Sequence, residues 1–155
     1  MVEKKEIKIC LTASAGGHLV QLLRLKKSWQ GFETFYVSTV DVVKEKLSKT
    51  GRVYIIGECN RQHPFDTAKV LWRCLNVALR ERPDVIISTG AAPGFLMCFI
   101  GKLLGAKIIW IDSIANVRRL SMSGKMIRPF CHLFLTQWRE LQDVSKRIEY
   151  AGSVV

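Results

Sequence analysis

Apolar positions along the chain fall into short runs, separated by stretches where they recur at helical spacing. The runs at 7–11, 34–38, 52–56, 85–88, 107–111 and 133–136 predict strands. Between them the spacing predicts helices over 18–29, 40–49, 66–81 and 94–104. In the first, Leu19, Leu22, Leu23 and Trp29 form an apolar stripe. The third stops before Pro83, and the fourth has Pro93 near its first turn. A charged helical segment is expected after the last strand. The segment 85–88 is apolar almost throughout, as in a strand covered on both faces.

Strand and helix alternate with short links. That pattern predicts an α/β fold: a parallel sheet with helices on both faces. No repeat, low-complexity tract or Ser/Gly linker interrupts it, so residues 1–155 read as a single domain. The most apolar stretch, 93–111, approaches the length of a membrane span. Lys102 and Lys107 interrupt it, each costing about 2.5–3.5 kcal/mol near the centre of a spanning helix. Gly105 breaks it into a buried helix followed by a buried strand.

In open α/β sheets ligands bind at the carboxyl ends of the strands, and three unusual loops fall there. The first is Ser14-Ala15-Gly16-Gly17-His18, between the first strand and the first helix. Glycines let a ligand approach the backbone, and a helix N-terminus offers free N–H groups to an anion. The spacing is neither G-x-G-x-x-G nor a P-loop, so no nucleotide cofactor is specified. His18 lies in the first helical turn, where the dipole favours the neutral ring. It is placed to accept a proton or hold a phosphate or hydroxyl; an ordinary tight turn with a capping histidine would look the same. The second loop is Ser88-Thr89-Gly90-Ala91-Ala92-Pro93-Gly94, where Gly90 either opens backbone amides to a ligand or simply makes the turn. The third runs from Ile111 to Lys125. Asp112 emerges at a strand end, suited to orient a hydroxyl or act as base. Arg118, Arg119, Ser121, Ser123, Gly124 and Lys125 follow, a set that suits a phosphate and would also serve as a solvated basic loop with a capping serine. A long loop at this edge favours function. Gln137 and Trp138 end the last strand at the same edge, with Trp138 either core or cleft. Cys131-His132 has no further ligand nearby to complete a metal site, and His63-Pro64 reads as loop punctuation.

Charge narrows the partners. The chain carries 24 Lys+Arg against 13 Asp+Glu, a formal net charge of +11. Such a surplus favours an anionic partner: nucleic acid, a phosphate-rich substrate or an acidic membrane face. The basic residues lack aromatic interleaving and no nucleic-acid motif is present. The five cysteines are scattered and never in C-x-x-C spacing, which speaks against a disulfide framework or zinc site and for a reducing, cytoplasmic setting. Cys10 and Cys98 fall in apolar runs and read as core residues. The charged N-terminus, MVEKKEIKIC, does not read as a secretory leader.

Taken in order, SAGGHLVQLLRL, STGAAPG, WIDSIANVRRLSMSGKMIRPFCHLFLTQW and EYAGSVV resemble one family over nearly the whole chain. It is the family of the membrane-associated subunit of the two-subunit UDP-N-acetylglucosamine transferase of dolichol-linked oligosaccharide synthesis. Its bacterial members are PssD-like proteins of capsule and exopolysaccharide synthesis, and both are similar to the N-terminal half of MurG-type GT-B glycosyltransferases.

The resemblance implies a Rossmann-like acceptor-side domain, with the donor-binding domain carried by a separate subunit. It implies transfer from a UDP-sugar, held mainly by that partner, to a polyprenyl-pyrophosphate-linked saccharide. No metal or other cofactor is expected. His18 and Asp112 become candidates for proton transfer or acceptor positioning. Ser14, Gly16, Gly17, Gly90, Asn116, Arg118, Arg119, Ser121, Ser123, Gly124, Lys125 and Gln137 become candidates for substrate and phosphate binding. The family commonly carries Glu at Asp112 and Arg at Asn116. Peripheral attachment to the anionic inner face of the cytoplasmic membrane is expected. Trp72, Arg73, Arg80, Arg82 and an exposed face of the helix at 94–104 are the candidate contacts. The alternative is a non-catalytic chain that recruits or activates the true transferase.

Overall fold

The computed structural model describes residues 6–59 and 64–154; His63 lies outside them. Seven strands are described: β1 (Lys8–Thr12), β2 (Glu33–Ser38), β3 (Arg52–Ile55), β4 (Val85–Ser88), β5 (Lys107–Ile111), β6 (Leu133–Thr136) and β7 (Glu149–Tyr150). They form one parallel sheet in the order β3-β2-β1-β4-β5-β6-β7. The helices are α1 (Gly17–Arg24), α2 (Lys44–Ser48), α3 (Pro64–Glu81), α4 (Ala92–Leu103) and α5 (Met122–Ile127).

The strand side-chain period of two divides the core between the sheet faces. In β1, Cys10 joins Phe35, Val70, Cys74, Met97, Cys98, Trp110 and Ile127 under α3, α4 and α5. Its neighbours Ile9 and Leu11 join Leu19, Leu22, Trp29, Tyr36 and Leu47 under α1 and α2. Burial pushes the core thiols up, Cys74 to about 12, so these cysteines pack as small apolar groups.

The chain builds outward from β1 to β3, then crosses back to place β4 on the other side of β1. The direction reverses between β1 and β4, and the crevice at a parallel sheet's carboxyl edge opens at that switch point.

Three expectations are corrected. The helix expected over 18–29 ends at Arg24, and Lys26–Trp29 winds as a 3-10 turn. The chain must turn at Gly31, φ 91°, into β2, and the tighter winding brings Trp29 into the core first. The helix expected over 40–49 is a 3-10 turn, Asp41–Val43, followed by the short α2. The charged helix expected after β6 is absent among the described residues. Asp143 there accepts from the Ser145 hydroxyl at 2.6 Å and, through the Lys146 amide at 3.2 Å, caps a single 3-10 turn, Val144–Lys146; Arg147, left-handed at φ 54°, ends that turn. Two 3-10 turns and β7 take that place.

Candidate functional site

The carboxyl edge brings the three loops together, and α1 ties them. His18, in the first turn of α1, reaches the β4 loop: its Nδ1 lies 2.8 Å from the Thr89 carbonyl oxygen. The Thr89 hydroxyl returns a bond to the His18 carbonyl at 2.6 Å. One turn further along α1, the buried Gln21 reaches the β5 loop. Its Nε2 donates to Ser113 Oγ at 3.4 Å, and its Oε1 accepts from the Ile114 amide at 3.2 Å.

The His18–Thr89 contact fixes the ring's tautomer. A carbonyl oxygen only accepts, so Nδ1 carries a hydrogen, and in the neutral ring Nε2 keeps its lone pair. Among the described residues no partner meets Nε2. The ring lies against Gly90, φ 130°, where a Cβ would come within 2.7 Å of His18 Cε1. Gly90 is therefore the space His18 occupies, and its backbone conformation is one that side-chain-bearing residues rarely adopt. Ala91 follows at φ 68° and ψ 166° as the N-cap of α4, a strained conformation that costs about 1–3 kcal/mol.

The two glycines before His18 differ. Gly16 has φ 101° and caps α1 with no side-chain bond. Gly17 has no such backbone demand, and a Cβ there would meet nothing within 4 Å. Neither packing nor conformation asks for glycine at 17. The bare backbone leaves clearance on the exposed side of the turn. Ser14 is half-buried beneath it, and the Ala15 amide donates to Thr39 Oγ1 at 3.1 Å, holding the turn to the end of β2.

Asp112 is buried, 1% exposed. One carboxylate oxygen accepts from the Trp110 indole at 3.1 Å and from the Ser121 hydroxyl. The other accepts from the Ser121 amide at 2.8 Å and from Asn116 Nδ2 at 3.4 Å. These bonds occupy the acceptor capacity of a carboxylate. Ser121 Oγ in turn accepts from the Gly124 amide at 2.8 Å, capping α5. A Cβ on Gly124 would come within 2.7 Å of both Asp112 Oδ1 and Ser121 Oγ. Asp112 thus folds residues 112–124 into a compact turn-and-helix, and Asn116 points inward to it. Arg118, Arg119 and Lys125 are exposed on that turn, and Ser123 is half-buried.

Gln137 is buried as a tie. Its Nε2 donates to Gln21 Oε1 at 2.6 Å and to the Asp112 carbonyl at 2.9 Å, while its Oε1 accepts from the Val154 amide at 2.9 Å. Trp138 is half-buried and donates its indole N–H to the Ile114 carbonyl at 2.7 Å. The sequence reading missed Gln21, Thr89 and Trp110. Gln21 carried a signal: it is polar beside the buried Leu22, on a helix otherwise patterned for the core.

Known proteins match this chain in sequence and in fold. Residues 9–154 match the family described as "Oligosaccharide biosynthesis protein Alg14 like". The chain belongs to the Alg14-like family. Its relatives include the UDP-N-acetylglucosamine transferase subunit ALG14 of Yarrowia lipolytica, 27% identical over 96% of this chain and 81% of that protein. The corresponding Schizosaccharomyces pombe subunit is 35% identical over 72% of this chain and 57% of that protein. Among solved structures, Acinetobacter baumannii MurG superposes with a TM-score of 0.76 at 14% identity, over 95% of this chain and 45% of that one. A UDP-GlcNAc 2-epimerase of Methanocaldococcus jannaschii gives 0.69 at 14% identity, over 95% and 46%. The Alg14-like chain therefore spans about half the length of those solved proteins and has the fold of the N-terminal half of MurG-type GT-B enzymes. Among the described residues, no helix is long and apolar enough to cross a membrane.

Proposed function

We propose that this Alg14-like chain is the acceptor-side subunit of a two-component glycosyltransferase. It binds a polyprenyl-pyrophosphate-linked saccharide, and a separate subunit holds the UDP-sugar. The curated relatives named above are UDP-N-acetylglucosamine transferase subunits, which supports N-acetylglucosamine as the first sugar to test. Capsule or exopolysaccharide synthesis is the proposed setting.

The observation that carries the reading is the clamp on His18. Its Nδ1–H is spent on the Thr89 carbonyl, which leaves Nε2 as a proton acceptor between two glycine-bearing turns. In the transfer, an acceptor hydroxyl attacks the anomeric carbon of the donor, the bond from that carbon to UDP breaks, and Nε2 takes the hydroxyl proton. The α1 N-terminus and the exposed Arg118, Arg119 and Lys125 supply positive charge for the acceptor pyrophosphate. Asp112 holds the loop that carries them; to move a proton itself it would first have to release one of its donors.

The engagement of Asp112 also favours a second reading, a non-catalytic chain that recruits or activates the transferase. One assay separates the two. The chain, its donor-side partner, and both together are given labelled UDP-sugars and membranes bearing polyprenyl-pyrophosphoryl saccharide. Label entering lipid only with both chains supports the split enzyme; equal transfer by the partner alone supports the recruiting role.

Attachment to an anionic membrane face is proposed as peripheral. Trp72 is 64% and Leu103 70% exposed, which supports contact through α3 and α4. Arg73, however, turns inward and donates to the Ile56 carbonyl at 3.1 Å.

A further inference from the structure

Away from the cleft, at the amino edge of the sheet, His132 is held by Ile108 from two sides. The His132 amide donates to the Ile108 carbonyl at 2.9 Å, and the Ile108 amide donates to His132 Nδ1 at 3.0 Å. A backbone amide can only donate, so Nδ1 is the acceptor and Nε2 carries the hydrogen. This is the opposite tautomer to His18. Yet Lys102 Nζ, from the last turn of α4, lies 3.4 Å from that same Nε2. An ammonium and an N–H both donate, so neither satisfies the other. They converge on a point where only an acceptor fits.

Among the surrounding described residues cations outnumber the single lining carboxylate, Glu149. His132 borders a cavity of about 640 Å³ whose lining includes Arg128, Cys131, Val144, Arg147 and Glu149. Lys146 also lines it but is tied to Asp143 at 2.7 Å. Among the described residues, Lys102, Arg128 and Arg147 pair with no carboxylate, and Arg147 is presented by a left-handed turn at φ 54°. Partial desolvation first, then Lys102 and Lys107, hold the exposed imidazole below its usual range, in keeping with the Nε2–H donor that the Ile108 amide selects.

We propose that Lys102 and His132 Nε2–H form a second anion site, with Arg128 and Arg147 beside it, that takes a phosphate ester group. The site is separate from the acceptor cleft and does not depend on the function proposed above. A lipid headgroup and a diffusible phosphate ester share this chemistry.

The test uses the full chain. The His132 ring nitrogens are followed by NMR during titration with inorganic phosphate. Flotation is measured with vesicles of phosphatidylcholine, alone or mixed with phosphatidylglycerol. Phosphate is expected to shift His132 Nε2, and Lys102→Gln and Arg147→Gln are each expected to weaken that binding about fivefold or more. Loss of flotation on the mixed vesicles in the same variants would make a lipid headgroup the source. Unchanged flotation beside weakened phosphate binding would make it a diffusible ester. A His132 ring that ignores phosphate, or a response that survives both substitutions at full strength, would overturn the site. Both substitutions are at side chains without a carboxylate partner among the described residues, and an unchanged amide spectrum checks that the fold is intact.

Discussion

Gly17 shows the difference between a glycine the fold needs and one a ligand needs. Nothing within 4 Å would oppose a Cβ there, and alanine is the better helix former. Gly17→Ala is expected to leave the melting temperature unchanged or slightly raised while lowering transfer by the reconstituted pair tenfold or more. Thermal denaturation and the transfer assay check the two halves. Gly90→Ala acts differently, because its Cβ would strike the His18 ring; it is expected to lower kcat and to move the His18 ring resonances. His18→Gln keeps a polar side chain but no imidazole base. With complex formation intact, it is expected to lower kcat by about 10²–10⁴, the usual worth of general base catalysis. Much of this site was legible in the residues themselves: the Gly-Gly-His turn, Asp112 at a strand end, the serine cap. What was not legible was which way each side chain turns. Asn116 and Gln137 face inward to hold the loop, and the Thr89 carbonyl clamps His18, a backbone role no side-chain pattern reveals.

At the scale of elements, the segment from Asp112 to Gly124 is a small folding unit built on one carboxylate. Asp112→Ala would leave the Trp110 indole, the Ser121 amide and hydroxyl, and Asn116 without their acceptor. Charged-group hydrogen bonds contribute about 1.5–3 kcal/mol each, and stranded donors add desolvation. The variant is expected to lose several-fold in hydrogen-exchange protection at Ser121 and Gly124 before any global loss, and to lose activity with it. The first six strands were legible because each is a short apolar run bounded by turn residues. The failures came where local backbone geometry overrode periodicity: the turn that Asp143 caps stops at the left-handed Arg147, and the two-residue β7 has no pattern long enough to read. The short α5 was hidden inside what looked like a basic loop, although its capping serine was visible.

The whole molecule separates its binding edge from a stabilising network at the other end of the sheet. There, Lys8 Nζ at 3.3 Å, Arg52 Nη2 at 3.0 Å and the Tyr54 hydroxyl converge on the nearly buried Glu81. Burial pushes the Glu81 carboxyl up, but the Tyr54 bond, Arg52 and Lys8 outweigh it and hold the group below its ordinary value. A lowered carboxyl contributes stability that is complete above the unfolded value, about 4.3, and is lost as pH falls through the folded one. Tyr54 is raised, by burial and then by Glu81, so its contribution is lost only as pH climbs past the ordinary phenol range of about 10. Urea unfolding is expected to show a stability plateau between these limits, with the acid-side slope reduced in Glu81→Gln. Composition alone could not divide the basic surplus among the cleft loop, this network and the Lys102–His132 edge.

This chain alone is expected to recognise the acceptor and not the donor. The most direct test is to titrate the isolated full chain separately with a short-chain polyprenyl-pyrophosphoryl saccharide and with UDP-N-acetylglucosamine, while following the Gly16, Gly17 and Gly90 amides and the His18 ring by NMR. The lipid-linked saccharide is expected to move these signals and the nucleotide-sugar to leave them in place. Saturable movement of the same signals by UDP-N-acetylglucosamine, with none by the lipid-linked saccharide, would contradict it.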